Sequence, residues 1–256
     1  MQLSLLNNKI ASQYNSVSQK IRVLTESWVN EQVFCPACGR RVSHYENNRP
    51  VADFFCLACK EEYELKSKKD SIGNKIVNGA YRTMIERLQS NNNPNLFLLN
   101  YNLDSFELLN FLVIPKYFFV PQIIEKRKPL SCLARRAGWV GCNISLQNIP
   151  QTGKIFYIKN KLINSRNKVL ADWKKTLFLK EEQEITAKGW ILDIMNCIDQ
   201  LAKREFSIEE IYSFEKVLEE KHPNNKHIKD KIRQQLQFLR DKGYLEFINR
   251  GKYGLI

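Results

Sequence analysis

Four cysteines constrain this chain more than any other residues. Cys35 and Cys38 form one C-x2-C pair, Cys56 and Cys59 form a second, and 17 residues separate the pairs. That is a zinc-site spacing. A thiolate pair two residues apart grips one ion through a tight turn, and two such turns complete a tetrahedron. Four sulfur ligands leave no open position, so a zinc held this way is structural and not catalytic. The competing readings are disulfides, which need an oxidising compartment, and buried free thiols.

Interleaved with the cysteines are Asp53 and the triplet Glu64-Leu65-Lys66. Residues 51–55 (VADFF) predict a strand, residues 59–62 the turn, and residues 64–66 the returning strand. Side chains alternate faces along a strand, so Glu64 and Lys66 point one way and Leu65 the other. The zinc clip would brace this hairpin and fix Asp53 relative to Glu64. Two carboxylates at one spot can hold magnesium through oxygen ligands. Such a metal polarises a scissile phosphate and lowers the pKa of a bound water. A lysine beside it can orient that water and stabilise charge developing on the phosphate. The alternative is a solvated, charged hairpin. An E-x-K triplet carries little by itself, since Glu219 and Lys221 make another. Asp, a spacer of ten, then E-x-K on a predicted hairpin carries more.

Asp-x10-Glu-x-Lys resembles the signature of the PD-(D/E)XK nucleases, the restriction-endonuclease fold. The stretches ENNRPVADF, YELKSKK, ARRAGWVGCNI, IKDKIRQQLQFLRDKG and RGKY, spread from end to end, resemble the DpnI-like methyl-directed type II restriction endonucleases. The four cysteines and Asp53, Glu64 and Lys66 all match. The resemblance implies an α/β, restriction-endonuclease-like mixed sheet with an embedded four-Cys zinc site, plus a small C-terminal winged-helix domain. It implies Mg2+ on Asp53, Glu64 and the backbone carbonyl of Leu65, with Lys66 positioning the attacking water, and Zn2+ on Cys35, Cys38, Cys56 and Cys59. The implied substrate is double-stranded DNA carrying N6-methyladenine in GATC. Nucleases of this fold often place a further acidic residue on the first helix. Glu26 is the candidate, against a solvated or helix-paired glutamate.

The remaining chain is read in order. Residues 8–33 predict a long helix or two short ones, with Ile10, Tyr14, Val17, Ile21, Leu24 and Trp28 on its buried stripe. Lys66-Ser67-Lys68-Lys69 is a basic run beside the carboxylates, suited to phosphate or to solvent. Residues 74–90 predict a helix carrying Ile76, Ala80, Met84 and Leu88, with Arg82 and Arg87 on other faces. Residues 95–100 and 106–115 predict buried strands joined by a polar turn. In EKRKPLSCLARRAGWVGCN, Arg135, Arg136 and Trp139 are candidates for DNA contact. The bland reading is a core tryptophan opening strand 139–142, with two surface arginines. Residues 154–159 predict a strand, and 160–185 a helix around Trp173 followed by a polar connector.

From about residue 186 the pattern changes to short helices. Residues 190–201 predict one helix. Ser207 with Glu210 three residues on predicts a capping box opening the next. Residues 226–242 predict a third, with Ile228, Ile232, Leu236 and Leu239 on one face and Gly243 past its end. Residues 244–247 and 253–255 flank a turn at 249–252. Three helices and a hairpin make a winged helix, whose third helix enters the major groove. Lys226, Lys229, Arg233 and Gln234 would face the bases and Arg250 and Lys252 the backbone. Arginine suits guanine and glutamine suits adenine. The domains are then residues 1–183, the nuclease with its zinc, and 184–256, the winged helix.

The chain has 40 basic and 27 acidic residues, a formal net charge of +13, which points to an anionic partner. Residues 186–256 hold 13 basic and 11 acidic side chains, residues 1–185 hold 27 and 16. The first domain therefore carries most of the sequence-independent attraction. No long apolar run or clear basic amphipathic helix points to a membrane. MQLSLLNNKIASQ lacks the apolar h-region of a signal peptide. Cys132, Cys142 and Cys197, left over from the zinc site, are expected as reduced, partly buried thiols. The expectation is a cytoplasmic monomer, with transient pairing on DNA left open. Two further readings compete: a non-catalytic zinc-ribbon and winged-helix regulator, and a repair or branched-DNA nuclease of the same fold.

Overall fold

The run NLFLLNY is apolar on both faces of a strand, so it must be covered on both sides. In the computed structural model, which describes residues 1–6, 14–46, 52–90 and 92–256, all seven of its residues are buried. Ile10, Val51 and residues 47–50 of ENNRPVADF lie outside the described residues.

The first elements are α1 (Val17–Gln32), β1 (Ser43–His44), β2 (Phe54–Phe55), β3 (Glu62–Lys69), β4 (Lys75–Ala80) and α2 (Tyr81–Gln89). There follow β5 (Asn95–Tyr101), β6 (Leu108–Ile114), β7 (Ile124–Lys126), β8 (Gly141–Ser145), β9 (Ile155–Lys159), β10 (Leu162–Ile163) and α3 (Arg166–Lys174). The main sheet has seven strands among the described residues, in the order β1-β2-β3-β5-β6-β9-β10. β3 and β5 run parallel and the other neighbours antiparallel, so the sheet is mixed. A smaller sheet has the order β4-β8-β7.

One aromatic cluster ties α1 to the main sheet. Tyr63 stacks on Phe97 at 4.3 Å, and Phe111 meets both Trp28 at 5.2 Å and Tyr157 at 5.0 Å. Tyr63, Phe97, Phe111 and Tyr157 are fully buried. Such offset and edge contacts add to the area that each ring removes from water.

Residues 74–90 are not one helix. Residues 75–80 form β4, and the helix begins only at Tyr81. Ile76 and Ala80 are four apart, a spacing that fits either element. The β-branched pair Ile76-Val77 and the interior Gly79 favour the strand. The turn before β3 sits at residues 57–59, two residues earlier than expected, and Glu62 already pairs with Phe55. Strand β8 starts at Gly141 and leaves Trp139 in the preceding loop.

The chain divides into two compact units, residues 1–146 with 152–176, and residues 147–151 with 177–256. The second unit holds α4 (Phe178–Glu181), α5 (Ile185–Leu201), β11 (Glu205–Ser207), α6 (Ile208–Tyr212), α7 (Glu215–Lys221), α8 (Ile228–Asp241), β12 (Leu245–Asn249) and β13 (Lys252–Leu255). The expected middle helix is two short ones, α6 and α7. Ser207 caps α6 with the reciprocal Glu210 contacts of a capping box. Ile228, Ile232, Leu236 and Leu239 of α8 are buried, and Gln235 joins them. Gly243 takes φ +70° just past the helix end. β12 and β13 form the wing, with β11 completing a sheet of order β11-β13-β12. The fold is thus α/β with a mixed sheet, an embedded four-cysteine cluster and a C-terminal winged helix.

Candidate active site and nucleic-acid interface

The two cysteine pairs sit on matching turns. Gly39 donates to the carbonyl of Cys35 at 2.8 Å, and Lys60 to that of Cys56 at 2.9 Å. Both residues lie in the left-handed region, Gly39 at φ +76° and Lys60 at φ +62°. The turns meet so that all four Sγ atoms fall within 4.8 Å of one another. The pairs Cys35–Cys59 and Cys38–Cys56 are each 3.4 Å apart. A tetrahedral zinc with Zn–S near 2.3 Å needs sulfurs roughly 3.8 Å apart, so the cluster fits the ion. Cys35 and Cys56 are buried and Cys38 and Cys59 exposed, and none of the seven cysteines is in a disulfide. Burial pushes the Cys35 thiol up, and the positive ion would offset that cost of ionisation.

The cluster is fastened on two sides. The Tyr63 hydroxyl lies 3.0 Å from Cys35 Sγ. Burial holds the phenol far above its ordinary pKa, so it stays protonated and can donate to a metal-bound thiolate at Cys35. Arg166 donates to the carbonyl of Gly39 and lies over the Phe34 ring at 5.4 Å. Sequence reasoning missed both residues: Arg166 reaches the cluster from far along the chain, and the Tyr63 contact depends on how β3 packs against the first knuckle.

Tyr63 also belongs to β3, and the next residue is Glu64. Alternation sends Tyr63 and Leu65 towards the core, and Glu64 and Lys66 to the other face. Glu64 Oε1 and Lys66 Nζ are 2.6 Å apart. Asp53 is clamped onto this strand at two points. Its backbone N–H donates to the carbonyl of Tyr63 at 2.9 Å. Its Oδ2 accepts the N–H of Leu65 at 2.6 Å. The two contacts straddle Glu64 and tie Asp53 to the strand that carries it, and both residues line one cleft.

Asp53, Glu64, Leu65 and Lys66 line one cleft of about 460 Å³. Each carboxylate has one oxygen engaged, Asp53 Oδ2 and Glu64 Oε1, and oxygen donors of this kind suit magnesium. Magnesium needs few protein ligands, commonly one or two carboxylates completed by substrate phosphate and water. Among the described residues, the cysteines are the one group of three or more His, Cys, Asp and Glu ligand atoms that converges. The cleft has the smaller donor set that magnesium takes.

Apart from Glu26, the acidic candidate on the first helix, the other cleft residues were not expected. Arg22 and Glu26 of α1 line it, as do Asn78–Ala80 at the end of β4 and Arg87 of α2. Glu26 accepts from Arg22 Nε at 2.7 Å and lies 3.7 Å from His44 Nε2. It is both helix-paired and in the cleft. Arg22 is held above its ordinary value by that bond and by the charges of Glu26 and Asp53. Reading residues 74–90 as one helix hid the part played by Asn78 and Gly79. Cys142 is buried beside the site. Burial first, and the charge of Glu64 second, push its thiol up, so it stays neutral.

The DNA-contact candidates fall in both units. Arg135 and Arg136 are exposed in the loop between β7 and β8. Trp139 is half-buried, with Arg136 over its ring at 4.8 Å. Lys226 precedes α8, while Lys229, Arg233 and Gln234 lie on its exposed face. Lys229 and Arg233 both cover the Tyr212 ring at 5.6 Å. Arg250 and Lys252 are exposed at the wing turn. No described helix is long and apolar enough to cross a membrane.

Comparison with known families agrees with both units. Residues 1–182 match the family described as DpnI, the Dam-replacing family. Residues 186–254 match the Dam-replacing helix-turn-helix domain that accompanies it. With the two matches spanning almost all of its length, the chain belongs to the DpnI (Dam-replacing) family and carries that family's C-terminal helix-turn-helix domain.

Proposed function

We propose that this chain is a magnesium-dependent type II restriction endonuclease that cuts double-stranded DNA at adenine-methylated GATC. The observation that carries the reading is the clamp of Asp53 across Glu64, with Lys66 on the same strand face and all three in one cleft. A regulator built from a zinc ribbon and a winged helix has no use for it.

Asp53, Glu64 and the carbonyl of Leu65 would hold the metal. Bound magnesium polarises the scissile phosphate and lowers the pKa of the attacking water. Lys66 orients that water and stabilises charge that develops on the phosphate. Its ion pair with Glu64 keeps the ammonium at the reacting face. Arg22 and Arg87 add positive charge to the walls and favour phosphate. A zinc on the four cysteines keeps the β2–β3 hairpin rigid, and with it the Asp53–Glu64 spacing.

The winged helix, residues 184–256, reads the site through Lys226, Lys229, Arg233 and Gln234, with Arg250 and Lys252 on the backbone. The nuclease domain, residues 1–183, grips DNA through Arg135 and Arg136, on the loop that Trp139 supports. The protein works in the cytoplasm as a monomer.

The test compares two plasmids that differ only in adenine methylation at GATC, with magnesium or chelator. Discrete fragments from the methylated plasmid alone, lost with chelator, are expected. Cutting of both would remove the methyl-directed part. Binding to methylated DNA without cutting under any condition would leave the regulator.

A further inference from the structure

Leu133 is 94% exposed, more than any other large hydrophobic residue described; Leu162 follows at 74%. A lone exposed leucine needs no explanation in itself. Its setting is what singles it out.

The segment 126–140 holds Lys126, Arg127, Lys128, Arg135 and Arg136, and no acidic residue. It is an ordered projection. Leu130 donates to the carbonyl of Trp139 at 2.9 Å, and Gly138 donates back to that of Leu130 at 3.1 Å. Those bonds close the neck. Inside it, Ala134 donates to the carbonyl of Ser131 at 3.0 Å, and Leu133 N–H to Ser131 Oγ at 3.2 Å. The second bond pins the leucine at the turn.

The projection rises at the rim of the cleft. It leaves the sheet between Lys126 and Gly141. Cys142 pairs with both Lys126 and Asn78, and Gly141 pairs with Ala80. Asn78, Gly79 and Ala80 line the cleft that holds Asp53 and Glu64.

Trp139, the obvious base-stacking residue, is engaged elsewhere. A Cβ on Gly141 would come within 2.8 Å of its ring, and Arg136 lies over it at 4.8 Å. The ring acts as a pedestal for the loop. What the tip presents is an aliphatic side chain between cations.

Cations that bind phosphates fix where a protein sits on a duplex. Leucine is among the apolar residues that wedge between base steps and partly unstack them. We infer that Leu133 is a DNA wedge, inserted between base pairs at or beside the target so that the duplex deforms over the cleft. The inference rests on DNA being the substrate, and it names a residue that shapes that substrate.

The test uses the full chain, without magnesium, and GATC duplexes carrying one 2-aminopurine at successive positions in and beside the methylated site. Fluorescence reports unstacking, and anisotropy reports saturation. The parent chain is expected to raise fluorescence at one step. Leu133→Ser is expected to saturate the duplex and leave the bases stacked, while Leu133→Met keeps the rise. With magnesium, kcat/KM for Leu133→Ser should fall about 10- to 100-fold, the equivalent of one buried leucine. No rise at any position in the parent, or a rise that survives Leu133→Ser, overturns the wedge. So does complete loss of binding by Leu133→Ser, because a wedge deforms a complex that the cations already hold. A Leu133-dependent rise in a chain that never cuts would keep the wedge and remove the nuclease. Cutting by Leu133→Ser at the parent's rate would do the reverse.

Discussion

Tyr63 and Glu64 are neighbours on one strand, and through them the four-cysteine cluster meets the cleft. Tyr63 points to Cys35 at 3.0 Å, and Glu64 points into the cleft. Tyr63→Phe keeps the ring stacked on Phe97 and removes one bond to sulfur. A hydrogen bond of this kind contributes about 1 kcal/mol, and outer partners of metal ligands weaken affinity by roughly 10- to 100-fold when removed. Competition with a chromophoric chelator should therefore strip zinc from Tyr63→Phe at lower concentration than from the parent. Asp53 permits a finer separation. Asp53→Asn still offers a carbonyl oxygen to the Leu65 N–H but loses the charge that a metal needs. The thermal midpoint should stay put while cutting is lost. Asp53→Leu should lose both, and a large drop in midpoint for Asp53→Asn would mean that the charge holds the hairpin. Spacing brought Asp53, Glu64 and Lys66 forward as candidates, and the family resemblance gave them their expected roles. The bond from Asp53 to Leu65 was not readable, because it depends on the register in which β2 meets β3.

The elements differ in how openly the sequence announces them. The knuckles and the capping box are local devices, made by residues at most five apart, and their spacing states them. The switch from β4 to α2 is decided elsewhere. Residues 75–80 lie against β8, some sixty positions on, and that pairing outweighs a helical spacing of apolar residues. Gly39 shows how tightly one knuckle is built. A Cβ there would come within 2.7 Å of Arg166 Nη2, on a backbone at φ +76°. Gly39→Ala must strain the turn and displace the arginine, so zinc per purified chain should fall below the roughly one equivalent expected for a four-cysteine site. In the second unit, Glu210 accepts from Lys203 Nζ at 2.5 Å and from the Ser207 N–H at 2.8 Å. The Lys203 bond first, and the Ser207 bond second, hold its carboxyl below the ordinary value of 4.5. A depressed folded value means that this stabilisation is complete above the unfolded pKa and is lost as pH falls through the folded one. Glu210→Gln should therefore melt below the parent at neutral pH, and the gap should close on acidification past 4.5. A gap that is constant with pH would assign the effect to the cap geometry and not to the charge.

Across the whole molecule, charge is divided unevenly, with a net +11 on residues 1–185 and +2 on residues 186–256. The contacts on α8 sharpen that division. Arg233 lies 3.3 Å from Asp230, Lys229 lies 3.3 Å from Glu215, and Lys231 donates to Gln234 at 2.8 Å. The acidic partners hold down bulk attraction on α8 and orient its cations, an arrangement suited to discrimination. The β7–β8 loop has cations without acidic residues, an arrangement suited to phosphate. The two surfaces should separate in a salt titration. Each phosphate contact that is lost lowers the slope of log K against log salt by about 0.9. Arg135→Ala with Arg136→Ala should flatten the slope by roughly two and weaken all duplexes alike. Arg233→Ala or Gln234→Ala should leave the slope within about one and change the ranking of duplexes, since a good base contact is worth about 1–3 kcal/mol of discrimination. Binding isotherms at several salt concentrations, on methylated GATC and on scrambled sites, decide it. If the Arg135/Arg136 change alters the ranking and leaves the slope alone, the loop beside the cleft reads sequence, and the charge division reflects solvation and not labour.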